Sequence, residues 1–471
     1  MTCDVMPVTR LDGRRMAGFD PSGREWINGS RRPAVLRGAA HPHGRTTDNE
    51  RGTRMSRRRL RGMVVGMTVG AVVLTTAPAA GAATETDRRH DRHHTRTQQA
   101  MDAFLEAYVP GVLGQVRDER GTWTGASGVA DAETERPRLR PDRFRIGSIT
   151  KTFVAAVLLQ LQEEGRLDLD DPVERWLPGL VRGNGHDGRE VTVRQLLNHT
   201  SGIHNYTEDA ELSERMFGPG FFEHRYDTFT PEELVGIAME HEPVFAPGTD
   251  WSYSNTNYVL AGMVVEAVTG NSYADEVERR VIEPLGLRST VLPGTRATMP
   301  RPHGRGYGLL AEGEEVTWVD VTDVNPSWAW AAGEMISTVD DLNRFLRALL
   351  DGRLLSEESM AEMLTTVPTG QEEIERYGLG IMKDELPCGT EVWGHNGSVH
   401  GSLSFVLSTR DGDHTMAFNA NTTWGPLDTV WKAEFCGTAP ERGDDSRTSG
   451  TFGPPDESEP SQRPRLVPNV G

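Results

Sequence analysis

The chain has 471 residues, a formal net charge of −19 and 36% hydrophobic residues, enough for two or three domains and a globular core in its middle. The acidic balance, with a pI near 5.2, argues against nucleic acid or an anionic membrane as a partner held by global charge. Arginine is abundant, whereas lysine occurs only at Lys151, Lys383 and Lys432.

Residues 1–54 are rich in Arg, Gly and Pro, carry no sustained period, and are expected to be a disordered extension upstream of a start at Met55. From there "MSRRRLRGMVVGMTVGAVVLTTAPAAGAATE" opens with arginines, runs apolar and reaches the small residues Ala80-Gly81-Ala82. The apolar run, about fifteen residues, is shorter than the roughly twenty a membrane span needs. Residues 55–82 are therefore expected to be a signal peptide, the mature protein to be secreted and to hold no integral membrane span. "SRRRLR" also resembles a twin-arginine export signal. Removing residues 1–82 takes away 14 Arg and 6 acidic residues, so the mature charge is −19 − 8 = −27. Residues 83–97 read as a polar linker. Its "RRHDRHHTR", with His90, His93 and His94, is taken as solvated rather than as a metal site. No metal or other cofactor is expected.

Helix and strand signals alternate over 98–437. "QQAMDAFLEAYVPG" is expected as a helix, and "GVLGQVRDERGTWTGASGVAD" as a hairpin turning at "DERG". "SITKTFVAAVLLQLQEEGRLDL" is expected as a helix with an apolar stripe (Phe153, Val157, Leu158, Leu161) and a stop at Gly165. Ser148 falls at its first turn, where free N–H groups and the helix dipole favour a developing negative charge. Lys151, three residues on, shares that face. A guanidinium stays charged where a buried ammonium can lose its proton. A lysine kept here in an arginine-biased chain points to proton transfer beside a serine nucleophile. Alone, however, Ser-x-x-Lys also fits a capping serine and a solvated lysine.

Thr192 is expected to cap the helix of "TVRQLLNHTSG". Thr230 caps the next, with Pro231 first and Glu233 closing a capping box. "TNYVLAGMVVEAVTG" ends at Gly270 and "STVDDLNRFLRALLDG" at Gly352. From about residue 376 the period shifts to two. "RYGLGIMKDEL", "TEVWGHNG" and "GSLSFVLSTRDGDHTMAFNANT" read as antiparallel strands, the last turning at Asp411-Gly412. "GPLDTVWKAEFCG" closes as a helix. The pattern implies one sheet built from both ends of the domain (about 98–150 and 300–437) and a helical lobe (about 151–299), with the ligand at their junction. Residues 438–471 are Pro-, Ser- and charge-rich and are expected to be a disordered tail. Cys388 and Cys436, an even pair in an oxidising compartment, are expected to form a disulfide.

"YSNTNY" at 253–258 and "HNGS" at 395–398 complete the order Ser-x-x-Lys, Tyr-x-Asn, His-x-Gly. With "DRFRIGSITKTF", "YGLG", "CGTEVWGHNG" and "FCG", the chain over about 98–437 resembles the secreted actinomycete D-alanyl-D-alanine carboxypeptidases and the class C β-lactamases, both penicillin-recognising serine hydrolases. The resemblance implies an α+β, β-lactamase/transpeptidase-like fold: an antiparallel sheet flanked by helices, with a mainly helical lobe. It implies action on a small peptide or β-lactam; a monomer is expected.

By the same resemblance Ser148 is the nucleophile, and Lys151 helps to deprotonate it. Tyr253 shuttles protons to and from the leaving group, and Asn255 holds the substrate amide and the lysine. His395 stands where β-lactamases of this type have lysine, and Gly397 leaves room for substrate along the strand. The N–H groups of Ser148 and Ser398 form the oxyanion hole. Asn396, Trp328 and Lys383 are expected to contact substrate. The leading expectation is a D,D-carboxypeptidase working through acyl-Ser148. A class C-type β-lactamase, an esterase and a D-amino-acid amidase are the alternatives; a non-catalytic penicillin-binding protein would show a broken triple. No G-x-S-x-G occurs, which excludes the α/β-hydrolase elbow. In one respect the chain departs from the pattern. Where carboxypeptidases of this kind hold the substrate carboxylate with a basic residue, this chain has Met382. Lys383 is next to it, but neighbouring strand residues face opposite ways.

Overall fold

The computed structural model describes residues 94–312, 315–371 and 374–438, and Arg465–Leu466. The extension and signal segment expected over 1–82, with His90 and His93, lie outside the described residues. So does nearly all of the tail expected to be disordered. Within that tail, Arg465–Leu466 pair in parallel with Thr317–Trp318.

Nine strands form one antiparallel sheet. In chain order they are β1 (Gly111–Asp118), β2 (Gly121–Asp131), β3 (Arg136–Pro137), β4 (Val367–Pro368), β5 (Arg376–Tyr377), β6 (Met382–Glu385), β7 (Glu391–Val399), β8 (Ser402–Ser408) and β9 (Thr415–Ala420). Their spatial order is β4-β5-β6-β7-β8-β9-β1-β2-β3, so β1, from the start of the domain, pairs with β9, from its end. The sheet is thus closed from both ends of the domain, as the alternating pattern implies. Tyr307–Glu312 and Glu315–Asp320 form a separate hairpin that the sequence reading did not pick out, although its alternation and Gly313 are strand signals.

Each face of the sheet carries helices. On one lie α1 (Thr95–Phe104) and, from the far end, Leu427–Cys436. They bury Met101, Phe104 and Val430 with Val112, Phe405 and Phe418. Cys388 and Cys436 are joined by a disulfide, Cα atoms 5.6 Å apart, tying that last helix to the β6–β7 turn. On the other face lie α2 (Thr150–Glu163) and Val339–Leu350, where Phe153 stacks on Phe345 with ring centroids 3.6 Å apart. The stripe expected on α2 is only part of its contact surface. Every residue from Thr150 to Leu159 is buried, because α2 runs between the sheet and the helical lobe.

Local chemistry sets the ends of the lobe's helices as expected. Thr192 and Thr230 each form a capping box, with Gln195 and Glu233. The helix Asn255–Thr269 stops at Gly270, whose φ of +76° is the left-handed cap glycine adopts at little cost. The linker expected over 83–97 needs correction. α1 already begins at Thr95, and His94 is buried, its Nδ1 3.0 Å from the carboxylate of Glu434. Periodicity could not show this, because the partner lies 340 residues away.

Candidate active site

Ser148 stands in a single 3-10 turn, Gly147–Ile149, that feeds directly into α2. Lys151 follows on the helix and is fully buried; its Nζ lies 3.0 Å from Ser148 Oγ. The same Nζ reaches Asn255 Oδ1 at 2.8 Å and the Ala332 carbonyl at 2.7 Å. Burying an ammonium is costly unless it is paired and hydrogen-bonded. Three acceptors lie within hydrogen-bond reach, as many as an ammonium has protons. When the amine is neutral, two N–H bonds keep Asn255 and Ala332, and the lone pair is left for Ser148. The solvated-lysine alternative is excluded by this burial.

Asn255 is fixed from both sides. Its Nδ2 donates to Thr207 Oγ1 at 3.2 Å, and its backbone N–H donates to Asn205 Oδ1 at 3.0 Å. Tyr253 is buried, with its ring centroid 4.9 Å from Lys151 Nζ.

Two glycines bring the nucleophile turn against β7. Gly147 has φ +51°, and a Cβ there would meet the Ser398 nitrogen at 2.9 Å. A Cβ on Gly397 would lie 2.0 Å from the Ile146 carbonyl oxygen and 3.0 Å from the Ser148 nitrogen. Only backbone against backbone allows this approach. It sets the amides of Ser148 and Ser398 at one contact, where the oxyanion donors are expected.

His395 is fully buried on β7. Its Nδ1 faces the Asn396 carbonyl at 2.5 Å, so Nδ1 carries the proton and Nε2 accepts from the Tyr377 hydroxyl at 2.8 Å. Burial first, and the charge of Lys151 second, push its pKa down to about 3. His395 is therefore neutral at physiological pH and cannot serve as a cation for a substrate carboxylate. The Asn396 side chain is half-buried.

Of the expected substrate contacts, Lys383 has its charge taken up by another side chain. Met382 joins an apolar cluster with Trp251, Tyr253, Ile374 and Tyr377. Lys383 pairs across the ladder with Trp393, and its Nζ is 2.5 Å from Glu391 Oε1 and 5.5 Å from the Trp393 ring centroid. Its charge is already matched. Trp328 is buried, its ring set edge-on to Phe217 at 4.9 Å, and its carbonyl accepts from Tyr206 Oη at 2.6 Å. For Lys383, alternation gives the face the residue takes, not the partner it finds there.

His199 was missed. It holds φ +62° and is fully buried. Its Nδ1 faces the Ser254 N–H and Asn257 Nδ2, both at 3.2 Å. Its ring lies 4.3 Å from that of Tyr253 and 4.9 Å from that of Tyr377. It thereby anchors the Tyr-x-Asn loop. Burial drives its pKa well below the usual value, so it too is neutral. Nothing in "NHTSG" marks it as more than a turn histidine. Among the described residues no cluster of side chains could hold a metal, and no helix is long and apolar enough to cross a membrane.

The beta-lactamase family profile matches residues 52–432. The fold aligns with a D-stereospecific amidohydrolase from Streptomyces sp. at 57% identity and a TM-score of 0.70, covering 74% of this chain and 99% of that one. It aligns with the D-amino acid amidase from Ochrobactrum anthropi SV3 at 30% identity and a TM-score of 0.63, covering 73% and 98%. Penicillin-binding protein 4* of Bacillus subtilis is 28% identical over 306 residues, 62% of this chain and just under two thirds, 64%, of that protein.

Proposed function

The chain belongs to the beta-lactamase family of serine hydrolases and has the β-lactamase/transpeptidase-like fold; from that premise we propose that it cleaves amide bonds next to D-configured residues through acyl-Ser148. Ser148 Oγ attacks the carbonyl while Lys151 takes its proton. Oxyanion charge develops against the Ser148 and Ser398 amides, each such donor being worth about 3 kcal/mol in the transition state. Tyr253 carries a proton to the leaving amine, and water then releases the acyl group by the reverse path.

One observation carries the choice of amide over free-acid peptide. None of the cations the sequence put beside the nucleophile is available for a carboxylate: Lys151 is committed to three acceptors, Lys383 to Glu391, and His395 is uncharged. A desolvated carboxylate left without a cation is costly. The similarity to two D-specific amide hydrolases supports this reading. We further propose that the enzyme works outside the cell, in keeping with the Cys388–Cys436 disulfide. The test is a panel of D-amino-acid amides and their L-enantiomers, with peptide mapping after labelling by a fluorescent penicillin. Turnover of the D-amides with label on Ser148 is expected. Equal turnover of both enantiomers, or label elsewhere, would overturn the proposal.

A further inference from the structure

The strand that delivers the nucleophile, Phe144–Arg145, has a second side. A cavity of about 30 Å³ lies against it, lined by Arg138, Arg143, Arg145, Arg305, Ser402 and Asn419 among others. Four arginines on one small cavity stand out in a chain with a net charge of −19.

Two of the four are compensated. Arg305 pairs with Asp131 at 3.0 Å and Asp320 at 2.6 Å, and Arg138 has Asp142 at 3.9 Å. The other two have no carboxylate within ion-pair distance among the described residues. Arg143 donates to the carbonyls of Ser289, at 3.3 Å, and Arg301. Arg145 is 4% exposed, and one terminal nitrogen donates to the carbonyls of Ala297 (2.7 Å) and Val324 (2.9 Å). Its Nε and other terminal nitrogen are buried and meet no acceptor from the described protein.

The two carboxylates nearest in effect to Arg145 are Asp323 and Glu334, neither in an ion pair with it. Burial pushes Glu334 up to about 8, so it is mostly protonated at neutral pH. Burial lowers Arg145 itself only to about 10, so it stays charged. His400 also lines the cavity, but burial holds it down at about 4, so it adds polarity rather than charge. The result is a buried guanidinium with no ion-paired carboxylate among the described residues, its charge offset only at a distance, first by Asp323. Water can satisfy its N–H groups but not its charge.

We infer that this cavity binds a small monovalent inorganic anion of the chloride class, held by the guanidinium of Arg145 with Arg143 beside it. The volume suits such an occupant, being room for about one or two water-sized bodies. The position gives it a role. The Arg145 carbonyl accepts from Ser402 Oγ at 2.7 Å, and the Ile146 N–H donates to the Met335 carbonyl at 2.9 Å. Ser402 opens β8, directly after the turn from Ser398 and Val399. An anion here braces the two segments that carry the Ser148 and Ser398 amides, so it couples to turnover without touching substrate.

The experiment uses the full chain in two arms. Crystals soaked in sodium bromide are measured for anomalous scattering, and a bromide peak in contact with Arg145 is expected. In solution, unfolding temperature and kcat/KM are compared in sodium chloride and sodium gluconate at equal ionic strength. Chloride raises the unfolding temperature by a few degrees and raises kcat/KM. Arg145→Met abolishes both chloride effects, and Arg143→Gln, the milder change, weakens them. No bromide in the cavity, or identical behaviour of the wild type in the two salts, overturns the inference. The wild-type arms decide it even if Arg145→Met does not fold.

Discussion

Two of the chain's three lysines, Lys151 and Lys383, lie on opposite sides of the same question. Lys151 is fully buried with its ammonium shared among Ser148, Asn255 and Ala332. Lys383 is partly exposed and spends its charge on Glu391. The first arrangement is only worth its desolvation cost if the proton is to move. The second is an ordinary surface pair, of the kind worth about 1 kcal/mol or less. On the proposed reading chemistry is kept at the helix corner, while at the strand edge Met382 lies in an apolar cluster and Lys383 is paired with Glu391.

Substitutions break this contrast at one end or the other. Ser148→Ala removes the bond-forming oxygen and should lower kcat by about 10^4-fold or more while leaving the unfolding temperature near wild type. Steady-state kinetics on a D-amino-acid amide checks it. Lys151→Arg keeps a positive charge but cannot accept the proton, so acylation should slow roughly a hundredfold or more. Burst kinetics with a chromogenic β-lactam reads this step, and near-normal acylation would remove Lys151 from the proton path. At the other end, Met382→Arg should raise kcat/KM for a free-acid peptide relative to its amide by about tenfold, the scale of one charge-assisted hydrogen bond. An unchanged ratio would show that substrate does not pass this edge.

A further effect, on stability rather than turnover, is in pH. His395 is held at about 3 and His400 at about 4, against 6.5 when unfolded, and His199 is lowered in the same direction. Below pH 6.5 the unfolded chain binds protons at these sites that the folded chain does not. Their contribution is complete above 6.5 and is lost as pH falls towards 3 and 4. Urea unfolding should therefore show stability declining from about pH 6.5, above the range where ordinary carboxylates titrate. A profile flat from 7 down to 5 would mean that these rings are not buried neutral.

Much of this was legible in the sequence, for physical reasons. Capping residues act locally, so Thr192, Thr230 and Gly270 could be placed from a few neighbours. The shift from helical to strand period after residue 376 reflects side-chain alternation on a half-buried sheet. Ser148, Lys151, Tyr253, Asn255 and His395 stood out because their motif order resembles that of penicillin-recognising serine hydrolases; each short motif alone would fit ordinary cap or turn chemistry. What the sequence hid was long-range pairing. His94 meets Glu434 and Lys383 meets Glu391 only once the sheet has formed. His199 looked like a turn residue because its aromatic neighbours come from segments far along the chain. Burial of α2 on all sides was hidden too, since a stripe shows only the face that must be apolar, not the faces that end up covered.

The proposed function requires acyl-enzyme chemistry without an anchor for a substrate carboxylate. The most direct measurement is the ratio of kcat/KM for a D-Ala–D-Ala peptide with a free C-terminus to that for its C-terminal amide. The amide is expected to be cleaved at least as well as the free acid. A preference for the free acid of about a hundredfold, the worth of a buried charge-assisted contact of roughly 3 kcal/mol, would contradict it.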